Sequence, residues 1–559
     1  MRAVINFQLY RDNKTIPVQY YFENPVRVDK IYTQSDMEEA LNYAERCGQY
    51  VVTAISYEAA KLFDPLLKVH EVKGPLAIFY YFEEFTLIPD THSEVLAERF
   101  KFQQSKDEII EAVETIQQYI RQGITYQVNY TTRLKRSFKE DPFAVYQHLS
   151  KSHGKYTAYI EDEDHVTISI SPELFFQYDL HKQQLLTKPM KGTMKRGQNI
   201  AEDKVNYETL KHSDKDKAEN VMIVDLLRND LSRIAKKGSV KVDRLFDIER
   251  YETVFQMTST ITAINNQHSL FEIFAALFPC GSITGAPKQS TMEIIHELES
   301  PRGIYCGTIG LIKPEDYMIF NIPIRTISLH NNEAVYSAGG GITIDSNPQA
   351  EYEEIIAKTQ VVQPQFDLIE TMRVTDGVIQ REKYHMERLR RGIEAFNINI
   401  DIDSVSAYIR NHKPVNGKYR VTLSIDGNLN ATTEPLPSSK VYTAELLPSM
   451  RGDDRFYQHK TTVRTHYTES NQELALYYDT HLLEFNIGNF VYRIDDHYFT
   501  PSAQRYILEG CMKQQLLDEG IISEQDITIE EFLEMYASGR LAVYMINSLR
   551  EWSEVKIIL

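Results

Sequence analysis

The sequence is poor in cysteine. Its four cysteines, Cys47, Cys280, Cys306 and Cys511, lie far apart along the chain and form no C-x-x-C spacing. A disulfide framework needs regularly spaced cysteines, and a structural zinc site needs closely spaced pairs of ligands. We therefore predict neither a disulfide scaffold nor structural zinc.

Long apolar runs are also missing. No apolar run approaches the roughly 18 residues that a membrane-spanning helix requires. The opening segment, MRAVINFQLYRDNK, lacks the apolar core of a secretory signal. We expect a soluble, cytoplasmic protein that has no membrane partner.

Positive charge is in deficit, because 61 Lys and Arg residues stand against 79 Asp and Glu residues, for a formal net charge of −18. This balance disfavours broad contact with nucleic acid but leaves room for a local basic pocket. Nucleotide-binding loops are missing as well, since GSITGAPK (281–288) lacks the P-loop spacing and no G-x-G-x-x-G follows a strand. We expect small ligands and no nucleic acid partner.

The length of 559 residues suggests roughly two to four domains. A boundary is indicated where the helical pattern of EYEEIIAKTQ ends at Pro364 and a strand-like segment, FDLIETMRV, begins. We predict a first domain over 1–362, with 1–100 as its N-terminal portion, and a second domain over 366–559.

One lysine stands out in the stretch TKPMKGT (187–193). Lys191 lies in a predicted strand-to-turn corner, between Pro189 and Gly192. A lysine is a nucleophile only when burial or neighbouring charge keeps part of it deprotonated. The alternative is an ordinary solvated lysine.

The strongest helical pattern runs from Asp214 to Leu231, and its apolar middle predicts burial on most sides. Charges on a buried helix need partners, so we expect Asp225 and Arg228, three residues apart, to form an internal ion pair.

Two acidic pairs share the same spacing on two helices. Asp216 and Glu219 form the first pair, and Glu351 and Glu354 form the second. Facing one another, they would bind a hard dication, for which Mg²⁺ is the natural candidate. Favourable interaction with the helix dipole is the alternative for the first pair.

Three glycine-bearing stretches remain in the first half: GSITGAPK, CGTIG (306–310) and SAGGGIT (337–343). Glycines let backbone N–H groups approach a ligand closely, and Lys288 and Arg325 are candidate cations for ligand carboxylates. Plain glycine-rich turns are the alternative.

Taken together, these segments resemble chorismate-utilising enzymes over most of 105–360. The matching motifs are GITYQVNYT, SPELFF, PMKGT, DKDKAENVMIVDLLRNDL, GSITGAPKQSTMEII, CGTIG, IRT and SAGGGI with AEYEE, in the family's order. The resemblance implies a large α/β (α+β) domain in which two antiparallel sheets and flanking helices enclose a site for chorismate and Mg²⁺.

Two positions place the sequence within that family. Gln127 stands where isochorismate and salicylate synthases have a lysine that activates water, so water addition is disfavoured. At position 191, anthranilate-forming enzymes have alanine, whereas aminodeoxychorismate synthase component I has lysine, as here. The alternative is an anthranilate synthase component I-like enzyme with a non-catalytic C-terminal scaffold domain.

The resemblance also implies roles for residues. Lys191 would be the nucleophile, Glu173 the general acid, and Glu219 and Glu354 the Mg²⁺ ligands, with Asp216 and Glu351 close by. Substrate binding would fall to Gln127, Ser282, Thr284, Lys288, Arg325, Gly339, Gly340 and Gly341. No G-x-C-x-G elbow is present, so ammonia would come from a separate glutamine amidotransferase subunit.

The C-terminal part resembles fold-type IV pyridoxal phosphate enzymes of the branched-chain-aminotransferase-like group, in particular aminodeoxychorismate lyase. The motifs are IETMR (369–373), HMERL (385–389), HKTTVRTHY (459–467), EFNIGNFVY (484–492), TPSAQRYILEGCMKQ (500–514) and YMINSLREW (544–552). The resemblance allows a homodimer formed through this domain.

This second resemblance implies that Lys460 carries pyridoxal 5′-phosphate and that Glu484 pairs with its ring nitrogen. Arg388, the amides near Gly510, Asn547 and Ser548 would hold the phosphate. The chain would then catalyse two consecutive steps, from chorismate and ammonia to aminodeoxychorismate and on to 4-aminobenzoate, a precursor of folate.

Overall fold

The computed structural model describes residues 1–89, 91, 93–152, 154–163, 165–197, 199–250, 254–438, 441–449, 454–464, 467–468 and 470–558. The chain forms two compact units. The first consists of Met1–Thr91 and Arg99–Gln363, and the second of His92–Glu98 and Pro364–Leu559.

The first unit mixes strands and helices along the chain. Its strands are β1 (Arg2–Arg11), β2 (Lys14–Glu23), β3 (Arg27–Ile31), β4 (Tyr50–Ile55), β5 (Ala77–Phe82), β6 (Lys101–Phe102), β7 (Gln127–Ser137), β8 (Tyr156–Asp162), β9 (His165–Ser171), β10 (Leu174–Asp179), β11 (Gln184–Lys188), β12 (Met190–Lys195), β13 (Lys241–Arg250), β14 (Val254–Ile264), β15 (Gly285–Ala286), β16 (Thr308–Lys313), β17 (Tyr317–Asn321), β18 (Thr326–His330) and β19 (Glu333–Ile342). Its helices are α1 (Gln34–Ala44), α2 (Ala60–Phe63), α3 (Lys106–Arg121), α4 (Pro142–Ser152), α5 (Ile200–His212), α6 (Asp214–Ser232), α7 (Leu270–Leu277), α8 (Lys288–Leu298) and α9 (Pro348–Thr359).

Within the described part of the first unit, the strands form two antiparallel sheets. One has the order β15-β7-β19-β18-β9-β8-β1-β2, with β6 beside β7, and the other has the order β12-β14-β11-β10-β17-β16-β4-β5-β3, with β13 beside β14. Alternate residues such as Ile5, Phe7, Ile309 and Leu311 point from both sheets into a shared apolar core. The predicted mixed α/β class and the two antiparallel sheets are confirmed.

Local sequence signals account for helix α3. Ser105 and Glu108 form a capping box at its start, and Gly123 adopts φ +75° just beyond its end. Ile109, Val113 and Ile116 supply the buried stripe.

Helix α6 differs from its prediction. Only one face is buried, through Ile223, Val224, Leu227 and Leu231. Asp225 and Arg228 pair at 2.8 Å, but on the solvent side, with side chains 62% and 51% exposed. The expected internal ion pair is therefore wrong in its location, because the apolar run contributes a stripe that packs on β12 and β14 and leaves the opposite face in water.

The main part of the second unit begins at Pro364. Its strands are β20 (Asp367–Thr375), β21 (Val378–Ile379), β22 (Gly417–Ser424), β23 (Leu429–Glu434), β24 (Tyr442–Pro448), β25 (Leu474–Tyr478), β26 (Leu482–Phe485), β27 (Gly488–Ile494), β28 (His497–Thr500), β29 (Ser523–Glu524), β30 (Leu541–Asn547) and β31 (Glu551–Ile558). Its helices are α10 (Glu382–Ala395), α11 (Ile402–His412), α12 (Asp454–Gln458), α13 (Cys511–Asp518) and α14 (Ile529–Ala537).

Two further sheets organise this unit within the described ranges. The smaller has the order β21-β20-β22-β23, and the larger has the order β26-β25-β24-β31-β30-β27-β28-β29. An added pairing of β26 with β27 closes part of the larger sheet on itself. β24 runs parallel to both of its neighbours, whereas most other pairings are antiparallel.

No helix in the described part of the chain combines the length and the apolar character needed to cross a membrane.

The short segment 93–98 belongs to the core of the second unit, although our prediction assigned it to the first domain. Val95 and Ala97 are buried against Phe366, Phe396 and Phe456. The second unit thus uses apolar side chains that lie far upstream of Pro364 to complete its packing.

Val95→Asp tests this packing. An unpartnered carboxylate at this buried position should lower the free energy of unfolding of the second unit by about 3 kcal/mol. Trp552, the single tryptophan of the chain, lies in that unit, so its fluorescence in urea reports the change. Val415→Asp, at a 70% exposed position of the same unit, is the matched control. Equal effects of the two variants would show that Val95 does not belong to this core.

Candidate functional sites

The first site lies where β7 and β19 run side by side. Gly341 pairs with Asn129, and a β-carbon on Gly341 would stand 2.5 Å from Gln127 Nε2 and 3.7 Å from Lys191 Nζ. A larger residue would therefore collide with Gln127 and crowd Lys191. The glycine provides room for these side chains, a role the sequence analysis did not foresee.

Glu173 faces Lys191 from the turn between β9 and β10. Its carboxyl is buried and accepts a hydrogen bond from Ser282 Oγ at 3.0 Å. Burial raises the pKa of Glu173 above its ordinary value, while the charge of Lys191 and the Ser282 hydrogen bond oppose that rise. The structure thus brings together three of the predicted residues: Lys191, Glu173 and Ser282.

Two of the predicted acidic ligands, Glu351 and Glu354, lie beside Gly340. A β-carbon on Gly340 would lie 3.4 Å from Glu351 Oε2 and 3.8 Å from Glu354 Oε1. Ser346 Oγ donates to Glu351 at 2.7 Å. A β-carbon on Gly192, which has φ +88°, would lie 2.8 Å from the β-carbon of Asp216. Asp216 therefore borders the strand of Lys191.

Two lysines that the sequence analysis missed stand among these acids. Lys358 Nζ lies 2.7 Å from Glu354 Oε1 and donates to Gly339 O at 2.8 Å, and Lys215 Nζ lies 3.9 Å from Glu219 Oε1. Each lysine is four residues from its glutamate, a spacing that predicts such pairs on a helix. Their charges lower the pKa of Glu354.

The donor set suits a hard dication, because it consists of carboxylate oxygens from α6 and α9. In the described residues, no three of the four predicted carboxylates come within 4.8 Å of one another. Lys215 and Lys358 balance their charge instead. Glu219 and Glu354 are the residues that would hold Mg²⁺ once these ammonium groups moved aside.

Some predicted substrate residues are engaged elsewhere. Lys288 Nζ lies 3.5 Å from the buried Asp230 and donates to Leu277 O at 3.4 Å. Thr284 Oγ1 donates to Cys280 O at 3.0 Å. The Arg325 side chain makes no hydrogen bond or ion pair with any described residue. These side chains do not join the group around Lys191.

The second site is a cavity of about 490 Å³ in the second unit. It is lined by residues of β20, β22, β26 and β27, by the segment after α12, and by the turn after β30, and among the predicted residues it exposes Arg388, Lys460, Glu484, Gly510, Asn547 and Ser548. Thr465 and His466 of the HKTTVRTHY motif lie outside the described residues.

Lys460 is placed by main-chain pairing with β20. Ile369 N donates to Lys460 O at 2.8 Å, and Leu368 forms a bridge with Thr461. Burial, reinforced by the nearby charge of Arg388, lowers the pKa of the Lys460 ammonium to about 8. A substantial fraction of this amine is therefore neutral and nucleophilic near physiological pH.

Glu484 is the buried carboxyl of the cavity. It accepts hydrogen bonds from Tyr467 Oη at 3.1 Å and Leu508 N at 3.4 Å. Burial raises its pKa to about 7. A carboxyl in this state would gain most from a protonated ring nitrogen beside it, which is the partner expected of pyridoxal phosphate.

A buried network supports Arg388. Its Nε and Nη2 donate to Glu370 at 2.9 and 2.7 Å, and His385 bridges Glu370 and Ser548 Oγ at 2.6 and 2.7 Å. Cys511 Sγ lies 3.4 Å from His385 Nδ1. Sequence reasoning quoted the motifs that contain Glu370 and His385 but gave these residues no role.

Helix α13 begins at this network, and no side chain caps it. A β-carbon on Gly510 would come within 1.9 Å of Asn489 Oδ1, so only glycine fits here. The free amides of the first turn would suit a phosphate. With Lys460 and Glu484, this makes the cavity fit pyridoxal phosphate.

Asn547 lines the cavity, as predicted, but its side chain is engaged in the local turn. Its Nδ2 donates to Ile487 O at 3.0 Å, and its Oδ1 accepts from Leu549 N and Arg550 N at 3.0 and 2.7 Å. The amide is committed to the turn that carries Ser548. Ser548 remains the side chain of this pair that can face a phosphate.

The pKa of Lys460 can be checked without cofactor. Because only the neutral amine reacts with acetic anhydride, labelling of Lys460 should rise with pH and reach half of its maximum near pH 8. Peptide mass spectrometry reads the labelling, with the exposed Lys413 as internal reference for the reagent. Half-labelling near pH 10 would mean that burial does not depress this pKa.

Comparison with known proteins divides the chain at the same place. Residues 88–364 match the family of chorismate binding enzymes, and residues 367–558 match amino-transferase class IV. A probable aminodeoxychorismate synthase, chloroplastic, of Oryza sativa subsp. japonica is 43% identical over 274 residues, which cover 48% of this chain and 30% of that protein.

Two further similarities concern the first unit. Aminodeoxychorismate synthase component 1 of Klebsiella aerogenes is 35% identical over 320 residues, covering 55% of this chain and 70% of that protein. The matched region spans less than two thirds of several other such relatives. The crystal structure of anthranilate synthase component I from Streptococcus pneumoniae TIGR4 aligns with TM-score 0.53 and 23% identity, over 65% of this chain and 90% of that one. That alignment shows a shared fold.

Proposed function

The chain belongs to the chorismate-binding enzyme family, as its motifs predicted, and carries a class IV aminotransferase-like region; on this basis we propose that it makes 4-aminobenzoate in two consecutive steps. The first unit would convert chorismate and ammonia to 4-amino-4-deoxychorismate. The second would eliminate pyruvate from that product.

One observation carries the proposal: the chain holds two lysines in two different settings, one beside a buried acid and one at a cavity. Lys191 faces the buried acid Glu173. Lys460 borders a cavity with Glu484 and an uncapped helix start. A single-step enzyme with an inert tail would have no need of the second arrangement.

In the first step, Lys191 would attack the ring of chorismate while Glu173 protonates the departing hydroxyl, which leaves as water. Hydroxide is a poor leaving group, so a carboxyl that burial keeps protonated supports this step. Ammonia would then displace the lysine. A divalent ion held by Glu219 and Glu354, when bound, would neutralise the ring carboxylate.

In the second step, Lys460 would take the proton from ring carbon C4 as the enolpyruvyl group departs. Its pKa of about 8 suits a base that works near neutral pH. Pyridoxal phosphate, when bound, supplies an electron sink for this elimination. The product ring becomes aromatic, which favours completion.

We propose that ammonia comes from a separate glutamine amidotransferase subunit. Relatives named component 1 support this, because the name implies a second component. The sequence also contains no G-x-C-x-G nucleophile elbow.

The experiment is a product analysis of the purified chain given chorismate, ammonium, Mg²⁺ and pyridoxal phosphate. We expect 4-aminobenzoate and pyruvate from the unaltered chain. Lys460→Ala should accumulate 4-amino-4-deoxychorismate, and Lys191→Ala should form neither product. Formation of 2-aminobenzoate would instead establish an anthranilate synthase. Unchanged 4-aminobenzoate output from Lys460→Ala would reduce the second unit to a scaffold.

Glu173→Gln tests the general acid. An amide cannot donate the proton, so the rate of aminodeoxychorismate formation should fall by about 10²-fold or more. In the unaltered chain, activity that needs protonated Glu173 should decline as pH rises through its raised pKa. The variant should lose that alkaline limb. Binding of chorismate, measured by calorimetry, controls for misfolding, and a variant with normal rate would remove Glu173 from the mechanism.

A further inference from the structure

The cavity around Lys460 is rich in positive charge. Its basic side chains are Arg388, Lys418, Arg420, Lys460, Arg464 and Arg550, whereas Glu484 is the one acidic side chain among its described lining residues. One bound phosphate would balance only part of this excess. The partners of each cation therefore decide whether the cavity can hold a further anion.

Most of these cations already have partners within the protein. Arg388 is bound by Glu370, Lys418 Nζ lies 2.9 Å from Glu434 Oε2, Arg550 Nε donates to Tyr442 Oη at 2.8 Å, and Arg464 donates to Asn486 O. Their orientation is fixed by these contacts. Apart from Arg388, which borders the proposed phosphate site, these cations are already engaged within the protein.

Arg420 differs from the others. It lies half-buried on β22, opposite Thr371 of β20, and makes no hydrogen bond or ion pair with any described residue. Its neighbours directly across the sheet, Thr371 on β20 and Thr432 on β23, are uncharged. The nearby acid Glu434 feels the charge of Arg420 but forms its ion pair with Lys418. A guanidinium left without an acceptor in a partly buried position is costly, and the cost is recovered when an anion binds.

Arg420 also lies close to Lys460. Ile369, next to Thr371 on the same face of β20, donates its N–H to Lys460 O. The two positive charges repel, and Arg420 is among the groups that lower the pKa of Lys460. An anion at Arg420 would thus be held within reach of the reacting amine.

We propose that Arg420 is a specificity-determining residue that binds a carboxylate of the second-step substrate. The inference rests on the proposed function, in which the first-step product carries a carboxylate on its ring and another on its enolpyruvyl group. The helix start at Gly510, Arg388 and Ser548 already provide for the cofactor phosphate. Arg420 is left to orient the substrate, through the paired N–H groups that match a carboxylate.

Steady-state kinetics with 4-amino-4-deoxychorismate tests this assignment on the cofactor-loaded full chain. Arg420→Met should raise KM at least about tenfold and leave kcat within about threefold, because the lost interaction is present before and during reaction. Arg420→Lys should recover part of the loss. Lys418→Met, on the same strand and paired with Glu434, is the matched control and should change KM less than about twofold.

Cofactor loading distinguishes a substrate site from a phosphate site. The affinity for pyridoxal phosphate, measured by equilibrium dialysis, should be the same in Arg420→Met and the unaltered chain. A tenfold loss of cofactor affinity would assign Arg420 to the phosphate and overturn the proposal. An equal rise in KM for Lys418→Met would also overturn it.

A binding measurement separates this inference from the proposed function. Calorimetry with sodium 4-aminobenzoate as the carboxylate probe should give at least tenfold weaker binding to Arg420→Met than to the unaltered loaded chain. Equal affinities, or no binding to either chain, would overturn the role of Arg420. Failure of the product analysis, with this difference still present, would sink the proposed function and leave the carboxylate site standing.

Discussion

Removal of ionisable side chains from water is the constraint on which both sites depend. Burial raises the pKa of Glu173 and of Glu484 and lowers that of Lys460, in each case because the charged form loses its hydration. The values of about 7 for Glu484 and about 8 for Lys460 mean that both forms of each group are accessible near neutral pH. Groups of this kind can exchange protons with a substrate at little cost.

Other charges are buried just as deeply and behave differently. Arg302 donates to both oxygens of Glu299, to Ile283 O and to Asn129 O, and both side chains are 1% exposed. Glu370 is held far below its usual pKa by Arg388 and His385. Complete hydrogen bonding keeps these groups permanently charged. They act as braces.

The position of the Arg302–Glu299 ion pair explains how the first site is assembled. It ties the turn that precedes Thr284, and so carries Ser282, to the strand that carries Gln127. Glu173, the acid of the proposed first step, has Ser282 as its one side-chain donor among the described residues. Under the proposed function, the number of compensating hydrogen bonds therefore separates the buried groups that would react from those that hold the backbone in place.

Sequence reasoning reached the residues whose role follows from short motifs. The motifs led to Lys191, Glu173 and Lys460. Sequence reasoning failed where the role of a side chain depends on a contact with a residue that is distant in the sequence. Lys288 pairs with Asp230, fifty-eight positions away in sequence, and no local pattern announces that contact.

The same reasoning overestimated the burial of α6 because an apolar count along a helix does not say how wide the covered face is. It also missed Glu370 and His385, whose carboxyl and imidazole meet only after β20 and α10 have packed. Periodicity describes one element at a time. Buried polar networks are made between elements, so they remain invisible until the tertiary fold is known.

The acidic residues predicted as Mg²⁺ ligands already have counter-charges within the described part of the chain. Lys215 and Lys358 each stand one helical turn from the glutamate they neutralise, so the helices themselves supply the counter-charge. Under the proposed function, a dication would compete with these ammonium groups. Under the proposed function, the ring carboxylate of chorismate adds an anionic ligand for the metal and an acceptor for a displaced lysine, and it therefore shifts the competition twice in the same direction. Metal and substrate would then strengthen each other's binding. The metal would neutralise the substrate carboxylate, and that carboxylate would act as a metal ligand and accept the displaced lysine.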